Sequence, residues 1–258
     1  MSIQLSFDQG AVIVAGGTGG IGEAICKRFA DAGLSVIFTY HSSEQKAARI
    51  RDEITAAGGR CEYHKVNLPD ADEVKAFFDR VKETYGKIAH VVYAAGPAFD
   101  FAKIGQIPVD VWKRVIDTDI NGAFNITQNA IHAFQEQGGG NLLAVITCAV
   151  ECVPKADIMS ASPKAAIEML IRGVAKEYGR EKIRANCVGP GWINAGLGKK
   201  GLEEKLTPEM VEKIRKATIP LQRFGEADDI AYATVFLCSQ QANFITGQSL
   251  HVDGGAQI

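Results

Sequence analysis

The chain has 258 residues, 47% of them hydrophobic and 22% charged, and a net charge of −2. That length suits one large α/β domain with a sizeable core, and the near-neutral balance argues against nucleic acid or an acidic membrane surface as the main partner, because both call for clustered excess Lys and Arg. No run of about 20 apolar residues is present to span a membrane, and the opening "MSIQLSFDQG" lacks the basic and apolar blocks of a secretory signal, so a cytoplasmic location is expected.

In chain order, apolar runs alternate with longer helical patterns. "AVIVA" (11–15) leads into a helix from about Gly20 to Ala32, and "SVIFT" (35–39) into a charged helix over 43–57. "CEYHKV" (61–66) precedes a helix over 70–85, and "IAHVVYAA" (88–95) a long one over 109–136. "NLLAVIT" (141–147) is followed by a helix over 160–179; "IRANCV" (183–188) and "SLHV" (249–252) complete seven expected strands. Strands that alternate strictly with helices need crossover connections, which produce a parallel sheet with helices on both faces. "QEQGGGN" (135–141) is a helix stop and turn, not a boundary, so residues 1–258 are expected to form one doubly wound α/β domain. Cys26, Cys61, Cys148, Cys152, Cys187 and Cys238 lack zinc-ligand spacing. No metal is expected, and they read as free thiols of a reducing cytoplasm, with Cys148 and Cys152 as small core residues.

"AGGTGGIG" (15–22) follows the first strand and opens the first helix. Gly16 permits the tight turn, Gly20 lets the backbone approach a pyrophosphate, and Gly22 allows the helix to pack closely. The helix N-terminus adds free N–H groups and partial positive charge. Strand, turn and helix in this order point to a Rossmann-type dinucleotide site over a bare glycine turn.

The spacing of Gly16, Gly20 and Gly22, G-x-x-x-G-x-G, resembles the short-chain dehydrogenase/reductase family. "AAG" (94–96) is similar to the family's Asn-Ala-Gly turn, with Ala94 in place of the asparagine. "WKRVIDTDINGAFN" (112–125) resembles its fifth helix, "PGWI" (190–193) its loop over the nicotinamide, and "PLQRFGEADDIAYATVFLCS" and "ITGQSLHVDGG" its C-terminal third. The resemblance covers about residues 8 to 256. It implies dinucleotide contacts from Gly16, Thr18, Gly20, Ile21 and Gly22, from Asn67 and Leu68 beside the adenine, from Ala94, Ala95 and Gly96, from Lys164 at the nicotinamide ribose, and from Pro190, Gly191 and Ile193. At the end of the second strand, "TYHSS" (39–43) has no acid to hold the adenosine ribose and repel a 2′-phosphate. His41, Ser42 and Ser43 are placed to donate to that phosphate, which favours NADP(H) over NAD(H); the bland reading makes them N-cap and turn residues.

In most members of that family a tyrosine four residues before a lysine transfers the proton, with a serine and an asparagine beside it. Only Lys164 survives here. The tyrosine position is Ser160, or Met159 if Pro163 counts as an insertion; the serine position is Cys148, or Thr147 under a shifted alignment; the asparagine position is Asp119. A serine hydroxyl, well above a phenol's pKa of about 10, is a poor proton donor. "SASPKAAIEM" (160–169) resembles 2,4-dienoyl-CoA reductases, a branch with Ser in place of that tyrosine, and "VIDTDINGAFN" resembles its aspartate-using form, which also uses the aspartate at the Asp253 position. The upstream tyrosine of the other form falls at Ala149 and is absent.

The expected activity is therefore NAD(P)H-dependent reduction of an activated C=C bond in an enoyl or dienoyl thioester-like small molecule. Lys164, Asp119, Ser160 and Cys148 are the candidate catalytic residues. Ketone, alcohol or imine chemistry with another donor is one alternative, and an inactive dinucleotide-binding protein is another. Asp119 beside Lys164 reads equally as a structural ion pair. Tyr93 reads as packing more than as the absent phenol, and Trp192 as lining the mouth or packing at the surface. Residues 194–217 are expected to form a substrate lid, in which Lys199 and Lys200 would meet a phosphorylated substrate or simply be solvated. The resemblance also implies a homotetramer.

Overall fold

The computed structural model describes residues 4–196 and 207–258. Its strands are β1 (Ala11–Ala15), β2 (Ser35–Tyr40), β3 (Arg60–Lys65), β4 (Ile88–Tyr93), β5 (Gly140–Val145), β6 (Ile183–Pro190) and β7 (Ser249–Val252). They form one seven-stranded sheet in the order β3-β2-β1-β4-β5-β6-β7, and every neighbouring pair is parallel. Every residue of β1, β2 and β4 is buried, as expected for strands covered on both faces. Alternation sorts their side chains: Ile13 and Val91 point into a core with Phe77, Ile126 and Ile171, whereas Val12 and Val14 point into a second core with Ile25, Phe29 and Val235.

The covering helices are α1 (Gly20–Asp31), α2 (Glu44–Ala56), α3 (Ala71–Tyr85), α4 (Val109–Ile116), α5 (Gly122–Gln137), α6 (Ile158–Tyr178), α7 (Pro208–Thr218) and α8 (Ala227–Cys238). Among the described residues no helix is long and apolar enough to cross a membrane. The glycine-rich stop after α5 forms as expected, with Gly138 left-handed at φ 82°. Strand β4 stops at Tyr93 and β5 at Val145, each two residues earlier than the apolar runs suggest.

Two departures from the sequence reading shape the site. The helix expected over 109–136 is broken by one π turn at Asp117–Asn121. Tyr93 Oη donates to the carbonyls of both Thr118 and Asp119 at 3.1 Å. This side chain engages carbonyls of the turn and favours the wider winding. The helix expected over 160–179 begins earlier, at Ile158, so Pro163 lies inside α6. The first turn is closed by N–H groups of Ser160 and Ala161 donating to Asp157 O, both at 3.1 Å.

His90 is a buried histidine on β4 with neither ring nitrogen partnered, stacked on Phe29 and edge-on to Phe7. Burial lowers it to about 4. The unfolded chain therefore binds the extra proton first, and stability is lost as pH falls from about 6.5 to about 4. His90→Leu should flatten that acid limb, by about 3 kcal/mol in full. Melting temperatures of both proteins at pH values spanning that window check it; an unchanged slope in the variant would exclude His90 as its source.

Candidate active site

The crevice lies at the C-terminal ends of β1 and β4, where the strand order reverses. Gly16 leaves β1 at φ 89°, and a Cβ there would come within 2.7 Å of Ala95 Cα. Its N–H donates to Thr39 Oγ1 at 3.1 Å. A Cβ on Gly22 would lie 2.2 Å from Gly16 O, so the helix packs onto the turn only with glycine there. Gly20 begins α1 with no side-chain cap from Gly19, which leaves first-turn N–H groups available to an anion. Gly196 approaches from beyond β6, its nitrogen 2.6 Å from where a Gly20 Cβ would be. This cradle of glycines beside an uncapped helix start fits a dinucleotide pyrophosphate.

His41, Ser42 and Ser43 are exposed at the end of β2, and Ser43, at the N-cap of α2, makes no side-chain cap bond. Asn67 is exposed, its N–H held by Glu73 Oε2 at 2.8 Å, while Leu68 is buried beneath Gly122. Thr18, Ile21, Ala94 and Ala95 are half-buried and Gly96 is exposed. Pro190 ends β6, Gly191 N–H donates to Val252 O at 3.1 Å, and Ile193 is buried. Trp192 is half-buried. Of the expected lid, residues 197–206, including Lys199 and Lys200, lie outside the described residues; α7 occupies Pro208–Thr218.

Lys164 projects from the second turn of α6 to Asp119 in the π turn, with Nζ 2.7 Å from Oδ1 and side chains 12% and 2% exposed. It also donates to Ala95 O at 3.3 Å, and a Cβ on Gly96 would stand 3.4 Å from its Nζ. Burial raises the Asp119 carboxyl, and the Lys164 ammonium counteracts it. The Tyr93 ring lies 5.9 Å from that ammonium. Its hydroxyl is committed to backbone carbonyls, and burial first, then Asp119, raises it well above the usual phenol range. Tyr93 shapes the turn and does not offer the site a phenol.

Ser160 is half-buried one turn before Lys164. Cys148 is buried in a short helical turn after β5, and burial pushes its thiol up to about 11. Thr147 caps that turn, its Oγ1 accepting from Ala149 N at 3.2 Å, and Met159 belongs to the core at 2% exposure. All six cysteines are free; Cys152 is exposed, so its expected core role is corrected, the turn after β5 carrying it out to solvent. The sequence reading missed Gln257, whose Nε2 is 3.3 Å from Cys148 Sγ, and His251, packed against Gly189. Asp253 accepts from the N–H groups of Gly255 and Gln257 at 3.0 and 3.1 Å, shaping the C-terminal turn. Asp157, His251 and Gln257 each have one polar side-chain atom sealed from solvent without a partner.

A family model described as enoyl-(acyl carrier protein) reductase matches residues 15–257. The chain belongs to the short-chain dehydrogenase/reductase family. This oxidoreductase is 33% identical over 247 residues to the 3-oxoacyl-(acyl-carrier-protein) reductase FabG of Staphylococcus aureus, covering 95% of this chain and 97% of that one. It is 30% identical to the 3beta-hydroxysteroid dehydrogenase 2 of Eggerthella lenta, over 94% of this chain and 93% of that one. Among solved structures, a short-chain dehydrogenase/reductase from Mycobacterium ulcerans superposes with a TM-score of 0.91 at 29% identity, covering 98% of this chain and 91% of the other. A 7 alpha-hydroxysteroid dehydrogenase complexed with NADH and 7-oxo glycochenodeoxycholic acid gives 0.88 at 30% identity, covering 97% and 95%. The short-chain dehydrogenase/reductase fold, a parallel sheet of seven strands between two helical layers, is thus that of its relatives.

Proposed function

We propose that this short-chain dehydrogenase/reductase uses NADPH to reduce a C=C bond conjugated to a thioester-like carbonyl. One observation carries the reading: a serine stands four residues before Lys164, and the nearby phenol, Tyr93, is tied to the π turn. Conjugate reduction places hydride on a distal carbon and charge on the carbonyl oxygen, which asks for hydrogen-bond donors rather than a phenol. The description of the matching family supports it.

Gly16, Thr18, Gly20, Ile21 and Gly22 would hold the pyrophosphate side of the dinucleotide, and Asn67 and Leu68 its adenine. Ala94, Ala95, Gly96, Pro190, Gly191 and Ile193 would enclose the nicotinamide end, with Lys164 on the ribose. Bound there, the reduced nicotinamide supplies hydride. Lys164 adds positive potential beside the oxygen that gains charge, Asp119 holds Lys164 in place, and Ser160 and Cys148 face the substrate. A preference for NADP(H) is supported by the absence of an acid in "TYHSS" and the exposure of His41, Ser42 and Ser43. A similar short-chain dehydrogenase from Burkholderia cenocepacia was solved in complex with NADP. We place the protein in the cytoplasm; assembly as a homotetramer is supported by the exposed Phe124 of α5 and Met169 of α6. A second reading, ketone reduction, is favoured by the names of the 3-oxoacyl and hydroxysteroid relatives.

Oxidation of NADPH and NADH should be followed with crotonyl and acetoacetyl thioesters of N-acetylcysteamine. The crotonyl thioester should be consumed, with NADPH preferred by about tenfold, equivalent to 1.4 kcal/mol. Turnover of the acetoacetyl thioester alone would replace the first reading with the second.

A further inference from the structure

The end of β4 holds both members of the buried ion pair. Just after the strand, Ala95 O accepts from Lys164 Nζ at 3.3 Å. Two residues earlier, Tyr93 Oη donates to the carbonyls of Thr118 and Asp119 in the π turn, each at 3.1 Å. Tyr93 is fully buried, and its ring centroid stands 5.9 Å from Lys164 Nζ.

The backbone of the turn shows what the hydroxyl does. Gly122 N–H donates to Asp117 O, five residues back. In an α-helix its acceptor would be Thr118 O, four residues back. That skipped carbonyl is one of the two taken by the Tyr93 hydroxyl. A buried phenol thus stands in where the wider winding gives up an α-helical hydrogen bond. The start of α5 sits close by: a Cβ on Gly122 would lie 3.0 Å from Leu68 Cβ and 3.6 Å from Tyr93 Oη.

Winding sets where Asp119 points. Successive α-helical residues rotate by about 100° around the axis, and a π turn takes up one extra residue. Rewound as plain α-helix, the segment would swing Asp119 by up to roughly 100° relative to α5 and carry its carboxylate off Lys164. The turn's other carboxylate does not compete for the ammonium. Asp117 is exposed and accepts from Asn121 Nδ2 at 2.7 Å.

We propose that Tyr93 is a positioning residue for the reduction: its hydroxyl holds the π turn, and the turn holds the Asp119 carboxylate against Lys164, the cation beside the reacting oxygen. The proposal rests on the reductase reading above and applies to a C=C or a ketone substrate alike. In that role Tyr93 transfers no proton. It fixes where the positive charge stands when hydride leaves the nicotinamide.

The test compares wild type, Tyr93→Phe, Asp119→Asn and the double variant, using NADPH with the crotonyl and acetoacetyl N-acetylcysteamine thioesters. Tyr93→Phe removes one oxygen and keeps the ring near Lys164, so it isolates the hydroxyl. Its kcat should fall about tenfold. In the Asp119→Asn background the same change should cost less than about twofold, because the group through which it acts is gone. A role confined to packing would cost the same in both. Stability gives a readout without turnover. With the turn rewound, Asp119 loses the ammonium that counteracts its burial, and its folded carboxyl takes up a proton more readily. The Tyr93→Phe deficit in melting temperature should be smallest in acid and grow as pH rises, and Asp119→Asn should abolish that growth. Wild-type kcat in Tyr93→Phe, or equal losses in the two backgrounds, overturns the proposal. If Tyr93→Phe does not fold, the double variant, freed of the stranded charge, should; its failure to fold overturns the proposal too. A wild type that binds NADPH but turns over neither thioester overturns the reductase reading. The melts then decide the positioning role, and a deficit that does not change with pH excludes it.

Discussion

Lys164→Ala should lower turnover by roughly 10²-fold or more, because it removes both the charge beside the reacting oxygen and the ribose anchor. The structure adds a consequence for stability. Lys164 is the cation that counteracts the burial of Asp119, and stripping one member of a buried pair costs about 3 kcal/mol or more while the other stays ionised. Without Lys164 the Asp119 carboxyl rises further and takes up a proton in the folded state. The variant's deficit should therefore be small in acid and grow as pH rises. Asp119→Asn in the same chain removes the orphaned charge, so the double variant should regain much of the lost melting temperature. Activity should not return with it, since an amide supplies no ammonium. That split, read by thermal melts and NADPH oxidation on the same preparations, separates the structural half of the pair from the catalytic half. Recovery of both would reduce Lys164 to an ion-pair partner.

Gly20→Asp should abolish detectable dinucleotide binding. The new Cβ would meet Gly196 N at 2.6 Å and Ala195 Cβ at 3.1 Å, so the first turn of α1 or the segment beyond β6 must move. The carboxylate would also stand where the uncapped N–H groups of α1 await an anion. Sterics and charge act in the same direction. Isothermal titration with NADPH checks it, with circular dichroism to show that the fold persists. Wild-type affinity in the variant would move the cofactor away from the glycine turn.

Much of this was legible in the sequence because it depends on local pattern. Continuous apolar runs gave the strands, and the glycines at 16, 20 and 22 are demanded by backbone approaches of under 3 Å. Lys164 was legible through its neighbours in "SASPK". The rest depends on contacts between distant segments. The π turn leaves no local signature, since Tyr93, 25 and 26 residues earlier, supplies the hydrogen bonds that draw on its carbonyls. Gln257 reaches Cys148 across 109 residues, a pairing no spacing rule anticipates. An aspartate before a helix reads as a cap, yet Asp157 makes no side-chain cap bond and one of its carboxyl oxygens is sealed without a partner. The start of α6 two residues ahead of the expected 160 was not legible either, since its first turn closes on Asp157 O through the N–H groups of Ser160 and Ala161.

The most direct test of conjugate reduction is the destination of the hydride. Crotonyl N-acetylcysteamine thioester should be turned over with NADPH carrying deuterium at the transferring position of the nicotinamide, and the product analysed by mass spectrometry and proton NMR. Conjugate reduction yields a saturated butyryl thioester with one deuterium on the β-carbon. An unlabelled thioester, or deuterium found only on the carbinol carbon of a 3-hydroxybutyryl product when the acetoacetyl thioester is supplied, would contradict it.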